Sequence, residues 1–142
     1  MEENVQEVQK ANEAFYTAFE HLDIHRMDNI WWHDDDVKCI HPGWAPRLGW
    51  PQVRDSWVVI FNHIYRMTLS VCVIEITVKG DFAWIVCREQ IVTSDQDRRM
   101  EGTVMATNLF ERRGSLWRMI HHHGSPYFAP DTALPMAPSA FV

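Results

Sequence analysis

No stretch of this chain approaches the length of apolar sequence needed to cross a bilayer. The acidic N-terminus is not followed by an apolar segment, so no secretory signal is expected. Positive charge is scarce. Thirteen Lys and Arg face nineteen Asp and Glu, a net charge of −6, and the only basic clusters are Arg98-Arg99 and Arg112-Arg113. Without a basic stripe, nucleic acid is excluded as an expected partner. Cysteine is limited to Cys39, Cys72 and Cys87, an odd number with no C-x-x-C spacing. Each falls in a predicted strand, so the three are expected as buried free thiols in a reducing compartment. There are no internal repeats. These absences lead to the expectation of a soluble, cytoplasmic protein of 142 residues with no cofactor motif, a length that suits one domain.

Aromatic residues are plentiful: seven Trp and seven Phe. That is more than a small core needs, so some are expected to line a pocket or an interface, although core filling is the ordinary fate of any one of them.

The first part of the chain has helical periodicity. Val5, Val8, Ala11, Phe15, Ala18 and Leu22 recur at helical spacing and predict a helix over 3–21. Asp23 fits the N-cap of a short second helix over 24–31, closed by the acidic turn Asp34-Asp35-Asp36. A short strand over 37–41 stops at Pro42-Gly43, and a loop follows. Pro51 suits the first turn of a third helix over 51–65, with Val53, Trp57, Ile60 or Phe61, and Ile64 on its apolar stripe. Four strands are then predicted over 68–78, 83–93, 100–112 and 115–123. Gly80-Asp81 and Arg113-Gly114 are read as hairpin turns. Residues 129–142, rich in Pro and Ala, form a tail expected to dock on the domain. Helices followed by an antiparallel meander indicate an α+β domain with helices on one face of a curved sheet.

Side chains alternate along a strand, and opposed residues of a hairpin share a face. A two-residue turn at Arg113-Gly114 puts Phe110 opposite Trp117 and Asn108 opposite Met119. His121 and His123 then fall on the inner face with Trp117 and Met119. The first hairpin places Ala83, Ile85, Cys87 and Glu89 inward, opposite Val78, Ile76, Ile74 and Cys72. Its reverse face carries Val71, Val73, Glu75, Thr77, Trp84, Val86 and Arg88. That surface is apolar enough to predict a second subunit packed against it. A one-residue slip would invert either assignment.

The inner face thus holds few polar groups: Glu89, Asn108, His121 and His123. Convergent polar groups in an apolar cleft are what a small-molecule site looks like. Imidazoles and a buried carboxyl are also what proton transfer near neutral pH requires. The competing reading is a Glu89–histidine pair that merely satisfies a core.

The order helix, helix, Asp-Asp-Asp-Val-Lys-Cys-Ile-His-Pro-Gly, helix, then a meander ending in Trp-Arg-Met-Ile-His-His-His-Gly-Ser-Pro resembles the nuclear transport factor 2-like superfamily, and within it the SnoaL-like group. Phe15-Tyr16-Thr17-Ala18-Phe19, Ser56-Trp57 to Ile60-Phe61, and Ala106-Thr107-Asn108-Leu109-Phe110 also fit. The resemblance covers residues 3 to about 128. It implies a cone-shaped, antiparallel or mixed sheet wrapped by three N-terminal helices (the cystatin-like α+β roll), with frequent sheet-to-sheet dimers. Fold alone does not imply function. Ketosteroid isomerases place a general-base Asp just before the Pro of the first strand, and His41 matches that position. Their oxyanion Tyr on the first helix matches Phe15, with Tyr16 adjacent, so the isomerase's own acid is missing. SnoaL-type cyclases use an acidic base, and scytalone dehydratase uses His and Asp around a water. The hub domain of calcium/calmodulin-dependent kinase II ends in a similar Trp-to-His-x-His segment. Its pocket arginines match Glu89 and Asn108, so its anionic preference does not carry over.

Three functional expectations follow. The first is a cofactor-free lyase or isomerase acting on a small, largely apolar molecule. His41 or His121 would be its base, Glu89 the orienting or proton-sharing group and Asn108 the oxyanion donor. Tyr16, Trp44, Trp57, Phe61 and His123 would bind the ligand. The second is a non-catalytic dimeric module that binds a ligand or supports an assembly. The third is a metal site at His41, His121, His123 and Glu89, whose spacing matches no strong ligand pattern, so no metal is expected.

Overall fold

The computed structural model describes residues 2–95 and 97–128. The expected docking of tail residues 129–142 lies outside the described residues. Three helices precede most of the sheet: α1 (Glu2–Glu20), α2 (Ile24–Asp28) and α3 (Trp50–His63). The strands are β1 (Lys38–Ile40), β2 (Arg47–Leu48), β3 (Arg66–Lys79), β4 (Phe82–Ser94), β5 (Arg99–Arg113) and β6 (Leu116–Pro126). They form one mixed sheet in the order β2-β1-β6-β5-β4-β3, with β1 parallel to β6.

Local chemistry sets the element ends. Asp23 caps α2 by accepting from the backbone N–H groups of His25 and Arg26. This satisfies donors that the first helical turn leaves orphaned. The predicted extension of α2 to residue 31 does not form. Instead Trp31 bridges Met119, and the backbone there bonds to β6: Met119 N–H donates to Ile30 O and Trp32 N–H to Met119 O. Pro51 lies in the first turn of α3, where its missing N–H costs nothing.

The buried face of α1 (Val8, Phe15, Ala18 and Phe19) packs with Trp57 and Phe61 of α3 and with Ala83, Ile85, Phe110 and Met119 of the sheet. The first hairpin turns at Gly80-Asp81 as expected, with Lys79 opposite Phe82. The second turns one residue later, at Gly114-Ser115, with Arg113 opposite Leu116. Both turns use a glycine at positive φ, which costs glycine no steric strain.

Two β-bulges change the predicted faces. In β6 the register shifts between Leu109 and Phe110: Phe110 pairs with Met119, but Leu109 pairs with His121. Ile120 is the extra residue, so His122 rather than His121 turns inward. His122 is buried, His121 half-buried and His123 exposed. The expected inward placement of His121 and His123 is therefore corrected. In β3 the shift lies between Val73 and Glu75. Ile74 becomes the extra residue, Val71 replaces Cys72 opposite Glu89, and Cys72 is exposed rather than buried. Both corrections share one physical cause. An unpaired extra residue inverts the alternation of everything beyond it.

Candidate functional site

A chain of polar groups crosses the core from β6 to β4. Asn12 and Tyr16 stand one helical turn apart on the face of α1 that meets the sheet, and both are buried. Asn108 on β5 and Glu89 on β4 face them from the inner side of the sheet. Tyr16 donates its hydroxyl proton to Glu89 Oε2 at 2.6 Å. Asn108 Nδ2 donates to Tyr16 Oη at 3.0 Å and to Asn12 Oδ1 at 2.9 Å. Its two amide protons are thereby committed, so Asn108 Oδ1 must accept from His122 Nδ1–H, with which it is paired. Along His122, Asn108 and Tyr16 each donor points toward the carboxyl of Glu89, while Asn12 branches off and donates to Cys87 Sγ at 3.6 Å. Aligned donors polarise one another in the same sense.

Glu89 is only 2% exposed. Burial pushes its pKa up from 4.5 to about 7, partly opposed by the hydrogen bond from Tyr16. Burial, together with the nearby Glu89 and Cys87, holds the Tyr16 phenol far above its ordinary range. The pair is therefore one carboxyl that changes charge near neutrality beside a phenol that stays protonated.

His41 lies elsewhere in the same apolar interior, at the end of β1. Ser56 donates its own proton to Val53 O at 2.6 Å, so its oxygen accepts from His41 Nε2–H at 2.8 Å. This fixes the proton on Nε2 and leaves Nδ1 unprotonated; the thiol of Cys39 lies 3.5 Å from Nε2 and 3.9 Å from Nδ1. Burial lowers the His41 pKa to about 4, with a smaller contribution from Arg47. His41 is thus neutral at pH 7. It is walled by Trp44 at 5.0 Å and Trp57 at 4.7 Å between ring centroids, and Phe61 lies beyond Trp57. The His122 ring is 6.5 Å from that of His41, and burial holds its pKa well below the usual value.

The structure thus brings Tyr16, His41, Trp57, Phe61, Glu89 and Asn108 into one interior, with Trp44 at its margin. His121 and His123 lie on the other face of the sheet, paired with Leu109 and Thr107. The hydrogen-bond partner of Glu89 is Tyr16 and not a histidine. Sequence reasoning missed His122, Asn12 and Ser56. Asn12 left a visible signal, a polar residue inside the apolar stripe of α1. His122 left none, because one extra strand residue decides its face. The buried indole N–H groups of Trp31, Trp57 and Trp117 have no hydrogen-bond partner among the described residues. Among the described residues, no group of three or more His, Cys, Asp or Glu side chains is arranged to hold a metal ion.

A cavity of about 310 Å³ runs between α1 and β3, lined on one side by Asn12, Glu13, Tyr16, Thr17 and Glu20. Its opposite wall is Leu69, Val71 and Val73.

The SnoaL-like domain model matches residues 8–130. The chain belongs to the SnoaL-like family. A protein of the NTF2-like family from Streptomyces avermitilis, provisionally assigned as a dehydratase, is 30% identical with a TM-score of 0.83; the match covers 90% of this chain and 99% of that one. An association domain from Thiobacillus denitrificans, provisionally assigned to the calcium/calmodulin-dependent protein kinase type II group, is 32% identical with a TM-score of 0.77; the match covers 84% of this chain and 94% of that one. F-box protein SKIP8 of Arabidopsis thaliana is 28% identical over 120 residues, 84% of this chain. The chain spans about half the length of that curated relative, 49%. Together these place the six-stranded curved sheet and its N-terminal helices in the NTF2-like superfamily, as a SnoaL-like fold.

Proposed function

We propose that this SnoaL-like chain binds a small, largely apolar organic molecule in its cone and performs cofactor-free proton transfer of the lyase or isomerase type. The observation that carries this reading is a carboxyl buried among apolar side chains and held by one phenolic hydrogen bond, Glu89 with Tyr16. A buried carboxyl that titrates near neutrality can both take and return a proton at working pH. In an elimination, Glu89 takes the proton from a carbon next to a carbonyl. The released electron pair forms the C=C bond, and the β-hydroxyl departs as water with the proton that Glu89 returns. Trp44, Trp57 and Phe61 supply the apolar wall, and the Trp57 N–H, which has no partner among the described residues, is a donor available to a carbonyl oxygen. His41, neutral with Nδ1 unprotonated, is the second base. Facing the interior, His122 takes the place first given to His121. Asn108 acts through Tyr16, because both of its amide protons are already used. The Streptomyces relative, provisionally assigned as a dehydratase, supports an elimination over other chemistry.

The test is a panel of small β-hydroxy ketones, with binding read by tryptophan quenching and elimination read by enone absorbance. Glu89→Gln should keep binding and lose turnover by about 10²- to 10⁴-fold, the usual scale of a positioned acid–base group. Equal turnover in that variant would remove Glu89 from the chemistry.

A second reading, a non-catalytic dimeric module, draws on a different observation. The outer sheet face presents Trp84, Val86 and Leu109 half-buried and Ile74 53% exposed. An apolar face of that kind suits a second copy of the chain, and the Thiobacillus relative carries an association-domain name. Sedimentation should show a dimer for the wild type and a monomer for Leu109→Glu.

A further inference from the structure

We infer that molecules reach Glu89 through the groove between α1 and β3, past Tyr16, and that Glu13 and Glu20 at its lips favour neutral or cationic molecules over anions. The inference takes from the proposed function only that Glu89 is the group to be reached.

The geometry is local. Val71 lies directly opposite Glu89 across the β3–β4 ladder, and opposed residues share a face with neighbouring side chains. Val71 also forms part of the groove wall, as does Tyr16, whose hydroxyl touches Glu89. One layer of side chains therefore separates a cavity of about 310 Å³ from the carboxyl. The approach from the β1 side is more heavily closed. There a molecule would have to pass His41, Trp57 and His122, which are 3%, 0% and 2% exposed. Tyr16, at 7%, is the least buried member of the Glu89 network and already borders open space. Rotation of its ring away from the hydrogen bonds to Glu89 and Asn108 is the movement that this route requires.

The β3 bulge makes this groove. Without the extra Ile74, the pairing that starts at Gly80-Asp81 would put Cys72 beside Glu89 and turn Val71 and Val73 to the outer face. With it, Leu69, Val71 and Val73 become an apolar wall facing α1. Bulges are enriched next to active sites because they re-aim side chains in this way.

The lips set the charge preference. Glu13 and Glu20 stand two helical turns apart on the groove side of α1, with Thr17 between them. Glu20 Oε2 accepts from Leu69 N–H at 2.9 Å, and neither carboxylate forms an ion pair among the described residues. An anion would meet two uncompensated carboxylates before it met Glu89, whereas a cation would be drawn in.

Carbodiimide labelling tests access without a substrate. The protonated carboxyl adds across one C=N bond: its oxygen bonds the central carbon and its proton goes to nitrogen. Acyl shift to nitrogen then leaves a stable N-acylurea carrying the whole reagent mass, located by peptide mass spectrometry. Diisopropylcarbodiimide is the neutral probe and the dimethylaminopropyl ethyl carbodiimide the cationic one. Val73 is 39% exposed and Thr17 is exposed, so Val73→Trp and Thr17→Phe can fill the groove from positions that fold around a larger side chain. Native wild type should be labelled at Glu89, and either filling variant should slow that labelling about tenfold at unchanged melting temperature. The ratio of cationic to neutral labelling should fall about tenfold, the low end of electrostatic steering, in the double variant Glu13→Gln/Glu20→Gln, whose side-chain amide oxygen on α1 can still accept from Leu69 N–H. Wild-type labelling rates in both filling variants would overturn the route, as would a native Glu89 that reacts only in urea. An unchanged reagent ratio would overturn the charge preference. None of these outcomes depends on whether Glu89 catalyses anything.

Discussion

Glu89 accepts a side-chain hydrogen bond from Tyr16 and otherwise sits in an apolar setting. A lone phenolic hydrogen bond does not offset the lost hydration of a carboxylate, so the carboxyl keeps its proton up to about pH 7. The folded pKa is raised above the unfolded value, so the native state holds the proton more tightly between pH 4.5 and about 7. The stability from this group is full below pH 4.5 and is lost as pH rises through 7. Glu89→Gln keeps an acceptor for Tyr16 and removes the titration. Urea denaturation should find the variant more stable than wild type at pH 8, by on the order of 3 kcal/mol from the size of the shift. At pH 5 the two should differ little. A protonated-carboxyl infrared band that disappears near pH 7 in wild type, and is missing in the variant, would assign the titration directly. Equal stabilities at pH 8 would show that Glu89 is solvated.

At the scale of elements, the bulges in β3 and β6 decide which side chains meet the interior, and chemical reactivity reads them out. His121 and His123 should be carbethoxylated by diethylpyrocarbonate in the native protein, whereas His41 and His122 should resist until unfolding. Cys72 should react at once with a thiol reagent, while Cys39 and Cys87 stay protected. Modification of His122 at the rate of His123 would place the bulge elsewhere. The same elements show what a sequence can carry. The apolar stripe of α1, the Asp23 cap, Pro51 and the glycine turns are local chemistry, legible because each acts within a few residues of itself. Glu89 was placed inward correctly because β4 is regular from Ala83 onward and its turn falls where Gly80-Asp81 predicts. The extra residues Ile74 and Ile120 are β-branched and apolar, indistinguishable from their neighbours as strand formers. What makes them bulge is the demand of the whole sheet, which no local pattern records. The site was therefore legible on β4, β5 and α3, and illegible on β6.

For the whole molecule, two kinds of buried titratable group pull stability in opposite directions. His41 and His122 are held neutral in the native state by burial. Their folded pKa values lie below the unfolded value of 6.5, so their contribution is present above pH 6.5 and is lost as pH falls through the folded values. For His41 that value is about 4. Glu89 acts in the reverse sense over pH 4.5 to 7. Between pH 6.5 and 4.5 His41 is losing stability while Glu89 is gaining it, one proton against one, so these two offset each other there. Below pH 4.5 the Glu89 contribution is constant and no longer offsets the loss from His41, which runs on to about pH 4. Melting temperature against pH, for wild type and His41→Gln, tests this balance. Glutamine can donate to Ser56 as His41 does, yet it does not titrate, so the acid limb should become shallower by on the order of 3 kcal/mol at about pH 4. The limb at about pH 7 to 8 should not move, because His41 is neutral there in both folded and unfolded chains. An acid limb identical in wild type and His41→Gln would mean that burial does not depress the His41 pKa, and that its charged form is as well accommodated in the fold as in water.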